Sequence, residues 1–108
     1  MDKRVARRSF TAAQVQLKDS LGFCLQGELL DISESGLRVQ GDSHLDLSSW
    51  PVGTQLQVSC VLPTGALSAK AEITRVTLKA GQVGLRWTHF QSPGDRSNLL
   101  AFVANGFL

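Results

Sequence analysis

Two stretches of the chain carry side chains suited to holding a charged, planar ligand. The segment 31–36 places Asp31, Ser33 and Gly36 on one short turn that follows an apolar run. The N-terminal segment carries four cations ahead of the first predicted strand: Lys3, Arg4, Arg7 and Arg8. A guanidinium can fork onto phosphate oxygens, bind the O6/N7 edge of guanine or stack on its face. A polar turn beside a cationic arm therefore predicts a site for a phosphorylated, guanine-bearing ligand.

The three turn residues differ in what they offer such a ligand. Asp31 supplies acceptors for the N1–H and N2–H₂ donors of guanine, and Ser33 can donate to a phosphate or to a base carbonyl. Gly36 permits a positive φ and a close approach of the backbone to a flat ligand. The alternative is that Asp31 and Ser33 only bond their own backbone, as such residues commonly do in turns. The arm, likewise, could be a solvated tail or a nucleic-acid contact.

The charge of the chain is concentrated in its N-terminal arm. The 108 residues carry a net charge of +2 and are enough for one domain with its own core. The first ten residues hold four cations and one acid, so the remainder of the chain is slightly acidic. This distribution argues against non-specific nucleic-acid binding by the whole surface.

Apolar alternation predicts a mainly β fold. Six strands are expected over 10–17, 23–32, 37–40, 55–62, 67–78 and 82–90. Ser92 and Pro93 are suited to the N-cap and first position of a short helix. Short turns between six strands, followed by a helix, predict a six-stranded antiparallel β-barrel with a short C-terminal α-helix. We therefore expect a flexible basic arm over 1–9 and one barrel domain over 10–108.

Several side chains are assigned to the scaffold. Trp50 and Trp87 are expected in the core, whereas Arg38 and Arg86 are expected on solvated strand faces, where they could flank a ligand. Gly27, inside a strand, predicts a bulge or a close backbone approach. Leu45 and Leu47 are expected to reach the core from a polar connection.

Other function classes are disfavoured by missing patterns. Cys24 and Cys60 lie in predicted strands without CxxC spacing or nearby histidines, so we expect two buried thiols and no metal site. None of the motifs GxSxG, HExxH or the P-loop is present, so we expect no enzyme and no catalytic residue. No apolar run approaches the about 18 residues of a membrane span, and no signal peptide is seen. A cytoplasmic protein is expected.

The arm and the pattern Asp31-x-Ser33-x-x-Gly36 together resemble the paired signature of PilZ domains, the bacterial receptors for cyclic di-GMP. Pro51-Val52-Gly53 and Val83-Gly84-Leu85-Arg86-Trp87 are similar to further stretches of that family, so the resemblance covers essentially the whole chain. It implies a PilZ-like barrel whose ligand, cyclic di-GMP, contacts the arm and the turn. The implied ligand-binding residues are Arg4, Arg7, Arg8, Asp31, Ser33 and Gly36. The family's RxxxR arm matches Arg4/Arg8, which keeps both guanidinium groups, or Lys3/Arg7 in a second register.

The resemblance also implies how such a receptor would signal. A mobile arm would fold beside the turn when the ligand binds and create a new surface. Because no output domain is recognised on this chain, that surface would act on a downstream protein partner or on another copy of the chain. Motility, exopolysaccharide synthesis and biofilm control are the implied outputs. Two alternatives remain: a PilZ-like interaction module that does not bind the nucleotide, and a small β-barrel that binds single-stranded nucleic acid. The second is disfavoured because few aromatic residues lie outside predicted core positions.

Overall fold

The computed structural model describes residues 6–7, 14–41 and 50–105. Within these residues the chain forms seven strands and one helix. In chain order they are β1 (Ala6–Arg7), β2 (Gln14–Lys18), β3 (Cys24–Ile32), β4 (Gly36–Gln40), β5 (Gln55–Leu62), β6 (Gly65–Thr77), β7 (Gln82–Phe90) and α1 (Pro93–Asn105). The predicted strand positions 10–13 and the predicted core residues Leu45 and Leu47 lie outside the described residues.

Strands β2 to β7 close into a barrel. Their order is β3-β2-β5-β6-β7-β4, and β4 pairs again with β3. Every neighbouring pair in this order is antiparallel. Closure leaves each of the six strands with a partner on both sides, which removes the exposed edges of an open sheet. The six-stranded antiparallel barrel with a C-terminal helix, predicted from the sequence, is confirmed.

The core lies inside the barrel and against the helix. Inward positions alternate with outward ones along each strand, as along β5, because successive side chains of a strand point to opposite faces. The helix adds Leu99, Phe102 and Val103 to the same core and packs mainly on β6. Trp50 and Trp87 are both buried, as expected. Among the described residues, no helix is both long and apolar enough to span a membrane.

The start of α1 is held by Ser92 and Asp95. The Ser92 hydroxyl donates to Asp95 Oδ2 at 2.8 Å, and the Asp95 N–H donates to Ser92 Oγ at 3.4 Å. This reciprocal arrangement satisfies an N–H group that has no partner within the helix. Asp95 Oδ1 also accepts the N–H of Ser68 at 2.9 Å, which ties the helix to β6.

The predictions for Cys60, Cys24 and Gly27 have different outcomes. Cys60 is buried, and burial raises the pKa of its thiol to about 11. The prediction that Cys24 is buried is wrong, because Leu25 points inward and the neighbouring position must then point outward. The close approach predicted at Gly27 is confirmed: a Cβ there would lie 2.7 Å from the carbonyl oxygen of Gln40.

The turn between β2 and β3 is organised by Asp19. Asp19 Oδ1 accepts the N–H groups of Leu21 and Phe23 at 2.9 Å, and Oδ2 accepts the indole N–H of Trp50 at 3.0 Å. These hydrogen bonds, that of Trp50 first, lower the pKa of the Asp19 carboxyl below its ordinary value. The ring of Phe23 meets that of Trp50 edge to face, with centroids 5.8 Å apart. One carboxylate thus joins a turn to a buried side chain near β5.

We expect Asp19→Asn to reduce the pH dependence of stability. A carboxyl whose pKa is lowered by folding contributes stability above its unfolded pKa of about 3.9, and this contribution is lost as the pH falls through the folded pKa. The asparagine amide would place an N–H₂ group against the indole N–H of Trp50, and two donors cannot hydrogen-bond to each other. The stability that this hydrogen bond contributes would therefore be absent at every pH. Urea unfolding at pH 7 and pH 3 should show that the free energy of unfolding falls less between the two pH values for Asp19→Asn than for the natural chain. Equal changes would contradict this role of Asp19.

Candidate functional site

The turn between β3 and β4 is closed by its own hydrogen bonds. The Ser33 N–H donates to the Gly36 carbonyl at 2.8 Å, and Glu34 and Ser35 stand exposed at the tip. The Ser35 N–H donates to Ser33 Oγ at 3.2 Å, and the two serine hydroxyls lie 3.0 Å apart. The Ser33 side chain therefore holds the local turn, which is the structural role that the sequence left open for it.

Trp87, on β7, holds the same turn from outside. Its indole N–H donates to the Ser33 carbonyl and its backbone N–H donates to the Ser35 carbonyl, each at 3.0 Å. The core position expected of Trp87 is confirmed, but the sequence does not predict this contact with the turn. The contact depends on the pairing of β4 with β7, which brings together residues more than 50 positions apart. The two bonds hold the turn in one position against the barrel wall.

Gly36 is required by close packing of strands. A Cβ at this position would lie 2.0 Å from the Leu85 carbonyl oxygen on β7. The φ of Gly36 is not in the left-handed region, where the chain places Gly22, Gly53, Gly65 and Gly81. The prediction of a positive φ is therefore wrong at Gly36. The residue does allow a close approach, and the approaching group is the backbone of β7.

Asp31 forms an ion pair with Arg38 across β3 and β4. A register shift between Leu29 and Asp31 sets Asp31 directly opposite Arg38. Arg38 Nε and Nη2 donate to Asp31 Oδ2 at 2.7 and 2.6 Å. This hydrogen bonding and the charge of Asp31 raise the pKa of Arg38. The side chain of Arg38 is 54% exposed and that of Asp31 is 21% exposed, so the pair faces solvent, as expected of Arg38.

Two further cations lie on the same outer face. Gly84 on β7 pairs with Arg38 on β4 and with Arg75 on β6, so the three residues form one row across three strands. Arg86 lies two residues along β7 and donates to Glu72 at 2.5 Å. The sequence alone does not indicate Arg75 as a site residue, since only strand pairing places it beside Arg38.

The row borders a shallow depression of about 400 Å³. We name it the outer depression; its polar lining includes Asp31, Ser33, Ser35, Arg38, Arg75 and Arg86. The outer depression is thus lined by one carboxylate, that of Asp31, and by the three guanidinium groups of Arg38, Arg75 and Arg86. Guanidinium groups favour anionic ligands, and a carboxylate accepts N–H donors. The outer depression is suited to a ligand that carries both phosphate and a base with N–H groups.

The arm reaches the site through its backbone. Strand β1 pairs antiparallel with the end of β3, with Ala6 opposite Ile32 and Arg7 opposite Asp31. The predicted residues Arg4 and Arg8, and Lys3 of the second register, lie outside the described residues. The structure thus brings together Asp31, Ser33, Gly36 and the backbone of Arg7. Among the described residues, no group of three or more His, Cys, Asp or Glu side chains could hold a metal ion.

Comparison with known proteins identifies one family. The family model described as PilZ domain matches residues 2–105. No curated protein matches the chain in sequence. The chain is similar in structure to the PilZ domain of YcgR from Escherichia coli, which was solved with c-di-GMP. That match has a TM-score of 0.73 and 14% identity, and it covers 94% of this chain and 86% of the other.

Two longer proteins contain a similar domain. Bacillus subtilis MotI/DgrA, an inhibitor of motility, matches with a TM-score of 0.73 and 18% identity over 97% of this chain and 49% of its own length. The c-di-GMP complex of K. pneumonia MrkH matches with a TM-score of 0.74 and 13% identity over 97% and 51%. The chain spans about half of each of these two proteins.

Proposed function

The chain belongs to the PilZ domain family, and we propose that it is a receptor for cyclic di-GMP. The observation that carries the proposal is the pairing of Arg7 with Asp31. This pairing brings the backbone of the arm to the end of β3, where the turn that contains Ser33 begins. Cyclic di-GMP has two phosphates and two guanines, and these match the cations and the carboxylate at the outer depression. The names of the YcgR and MrkH structures, which include this ligand, support the proposal.

The proposal assigns a role to each predicted residue. Asp31 accepts N–H groups of one guanine, and the Ser33 hydroxyl exchanges its bond with Ser35 for one to the ligand. Gly36, by holding β4 against β7, fixes the position of the turn. Arg4 and Arg8 bind phosphate or guanine from the arm, or Lys3 and Arg7 do so in the second register. The site binds and performs no catalytic step.

Ligand binding would fix the side chains of the arm, whose backbone at Ala6 and Arg7 is already paired with β3. Fixing each residue opposes binding by roughly 1–2 kcal/mol, so several charge-assisted hydrogen bonds are needed to offset the loss of entropy. The arm and the ligand together would then form a new surface for a protein partner in the cytoplasm. Control of motility, exopolysaccharide synthesis or biofilm formation fits this role. The name of the B. subtilis neighbour, an inhibitor of motility, favours the first of these outputs.

The first test is a calorimetric titration of the purified chain with cyclic di-GMP. We expect saturable binding that Asp31→Ala weakens by about 10- to 100-fold, since hydrogen bonds to a charged group contribute about 1.5–3 kcal/mol. Glu34→Ala is the matched control, because it removes an exposed carboxylate from the same turn. It should bind as the natural chain does. The absence of binding by a folded natural chain would overturn the receptor proposal and favour an interaction module.

The same titration distinguishes the two arm registers. Loss of binding with Arg4→Ala and Arg8→Ala, but not with Arg7→Ala, assigns the arm contacts to Arg4 and Arg8. Loss with Arg7→Ala and retention with Arg8→Ala assigns them to Lys3 and Arg7. Binding that survives every one of these arm substitutions would contradict the role of the arm. The stoichiometry distinguishes one bound nucleotide from two.

A further inference from the structure

We propose that Arg38 and Asp31 together form one hydrogen-bonding edge that reads guanine, so that Arg38 determines base specificity. This inference rests on the proposed function and goes beyond it, because Arg38 was expected on a solvated face, at most flanking a ligand, and base contacts were expected only of Asp31, Ser33 and the arm arginines. The ion pair that joins the two side chains carries the inference.

Part of each partner remains available in this ion pair. Both Arg38 donors fall on the same oxygen, Oδ2, at 2.7 and 2.6 Å. Within the described part of the chain, Asp31 Oδ1 accepts no hydrogen bond. A guanidinium has five N–H donors, so Arg38 keeps further donors beside the carboxylate. The pair thus presents a donor next to acceptors along one edge that faces the outer depression.

That order of groups complements guanine. The Watson–Crick edge of guanine presents the O6 acceptor, the N1–H donor and the N2–H₂ donors in sequence. Arg38 can donate to O6 while the Asp31 carboxylate accepts from N1–H and N2–H₂. Asp31 without Arg38 would offer no donor to O6 from this edge, which weakens recognition of a base that is being taken out of water.

The same edge rejects adenine held in the same orientation. Adenine places its N6–H₂ donors where guanine has O6, and these would face the donors of Arg38. It places the N1 acceptor where guanine has N1–H, and this would face the Asp31 carboxylate. The phosphates, held by cations, prevent the base from turning over to match. Sites built to hydrogen-bond a specific group discriminate strongly, because the wrong ligand leaves polar groups unpaired.

The edge is formed before the ligand arrives. Asp31 and Arg38 lie opposite each other on paired strands of a closed barrel, so their separation is set by the sheet. A preformed contact loses little entropy on binding. An exposed ion pair contributes little to stability, so a substitution at Arg38 should leave the fold intact. Lysine at this position would keep the charge and lose the planar row of donors.

The experiment measures binding of two dinucleotides by calorimetry, cyclic di-GMP directly and cyclic di-AMP by competition up to millimolar concentration. For Arg38→Lys we expect cyclic di-GMP to bind about tenfold more weakly, the loss of about one charge-assisted hydrogen bond. Cyclic di-AMP should change by less than about twofold, so that specificity falls. Arg86→Lys is the matched control, since Arg86 is also ion-paired and lines the depression. It should affect both dinucleotides by the same factor.

Other results would overturn the inference. The inference is wrong if Arg38→Lys binds cyclic di-GMP within twofold of the natural chain. It is also wrong if Arg38→Lys loses affinity for both dinucleotides by the same factor. Arg38→Gln, which keeps a planar donor without the charge, should retain more specificity than Arg38→Lys. If the natural chain binds cyclic di-GMP, and Arg38→Lys changes the affinity for both dinucleotides by the same factor as Arg86→Lys does, the receptor proposal stands and the guanine edge is rejected. A natural chain that binds neither dinucleotide would reject both.

Discussion

Gly36→Ala is expected to lower the free energy of unfolding by about 3 kcal/mol, at the upper end of the range for overpacked sites. The new Cβ would lie 2.0 Å from the Leu85 carbonyl oxygen, and that oxygen belongs to backbone that cannot rotate away. Strand β4 must move away from β7, which stretches the ladder between the two strands. The hydrogen bonds from Trp87 to the turn should also lengthen. Urea unfolding followed by tryptophan fluorescence measures the loss.

Gly84→Ala is the control for this substitution. Gly84 lies on β7 opposite Arg38, and a Cβ there would meet its nearest neighbour, Arg75 Cβ, at the ordinary distance of 3.6 Å. We expect its stability to stay within about 0.5 kcal/mol of the natural chain, as for a surface position. If Gly36→Ala and Gly84→Ala unfold at the same urea concentration, the close packing of β4 on β7 does not hold the turn.

Gly84→Val is expected to weaken binding of cyclic di-GMP by more than about 100-fold while the barrel stays folded. Gly84 lies in the row between Arg38 and Arg75, and both of these arginines line the outer depression. A valine would extend between the stems of these two arginines, where its Cβ would lie 3.6 Å from Arg75 Cβ and 4.0 Å from Arg38 Cγ, and would occupy space that we expect a planar base to need. Valine favours strands, so stability should be retained. Calorimetry with cyclic di-GMP, beside thermal unfolding, tests both expectations.

Ser59→Val is the matched control for this loss. Ser59 lies on β5, a strand that contributes no residue to the lining of the outer depression, so a valine is introduced into a strand away from the site. We expect Ser59→Val to bind cyclic di-GMP as the natural chain does. A folded Gly84→Val variant with the affinity of the natural chain would show that the ligand binds elsewhere. It would also remove the main support for the guanine edge formed by Arg38 and Asp31.

The sequence by itself determined the fold class and the segments that meet at the site. Alternation of apolar side chains predicted the barrel strands, and Ser92 with Pro93 located the start of α1, because both signals depend on residues close together in the chain. The pattern from Asp31 to Gly36 was also readable, since one turn contains it. Each of these predictions concerns a local preference that a short window of sequence expresses directly.

Only the tertiary structure decided which residues meet across strands. The register shift beyond Leu29 sets Asp31 opposite Arg38, and the pairing of β4 with β7 brings Trp87 to the turn. It also gives Gly36 a packing role in place of the positive φ that was expected. Cross-strand register depends on the closure of the whole barrel, to which every strand contributes. No short stretch of the chain contains that information, and the outer depression is therefore a property of the closed sheet.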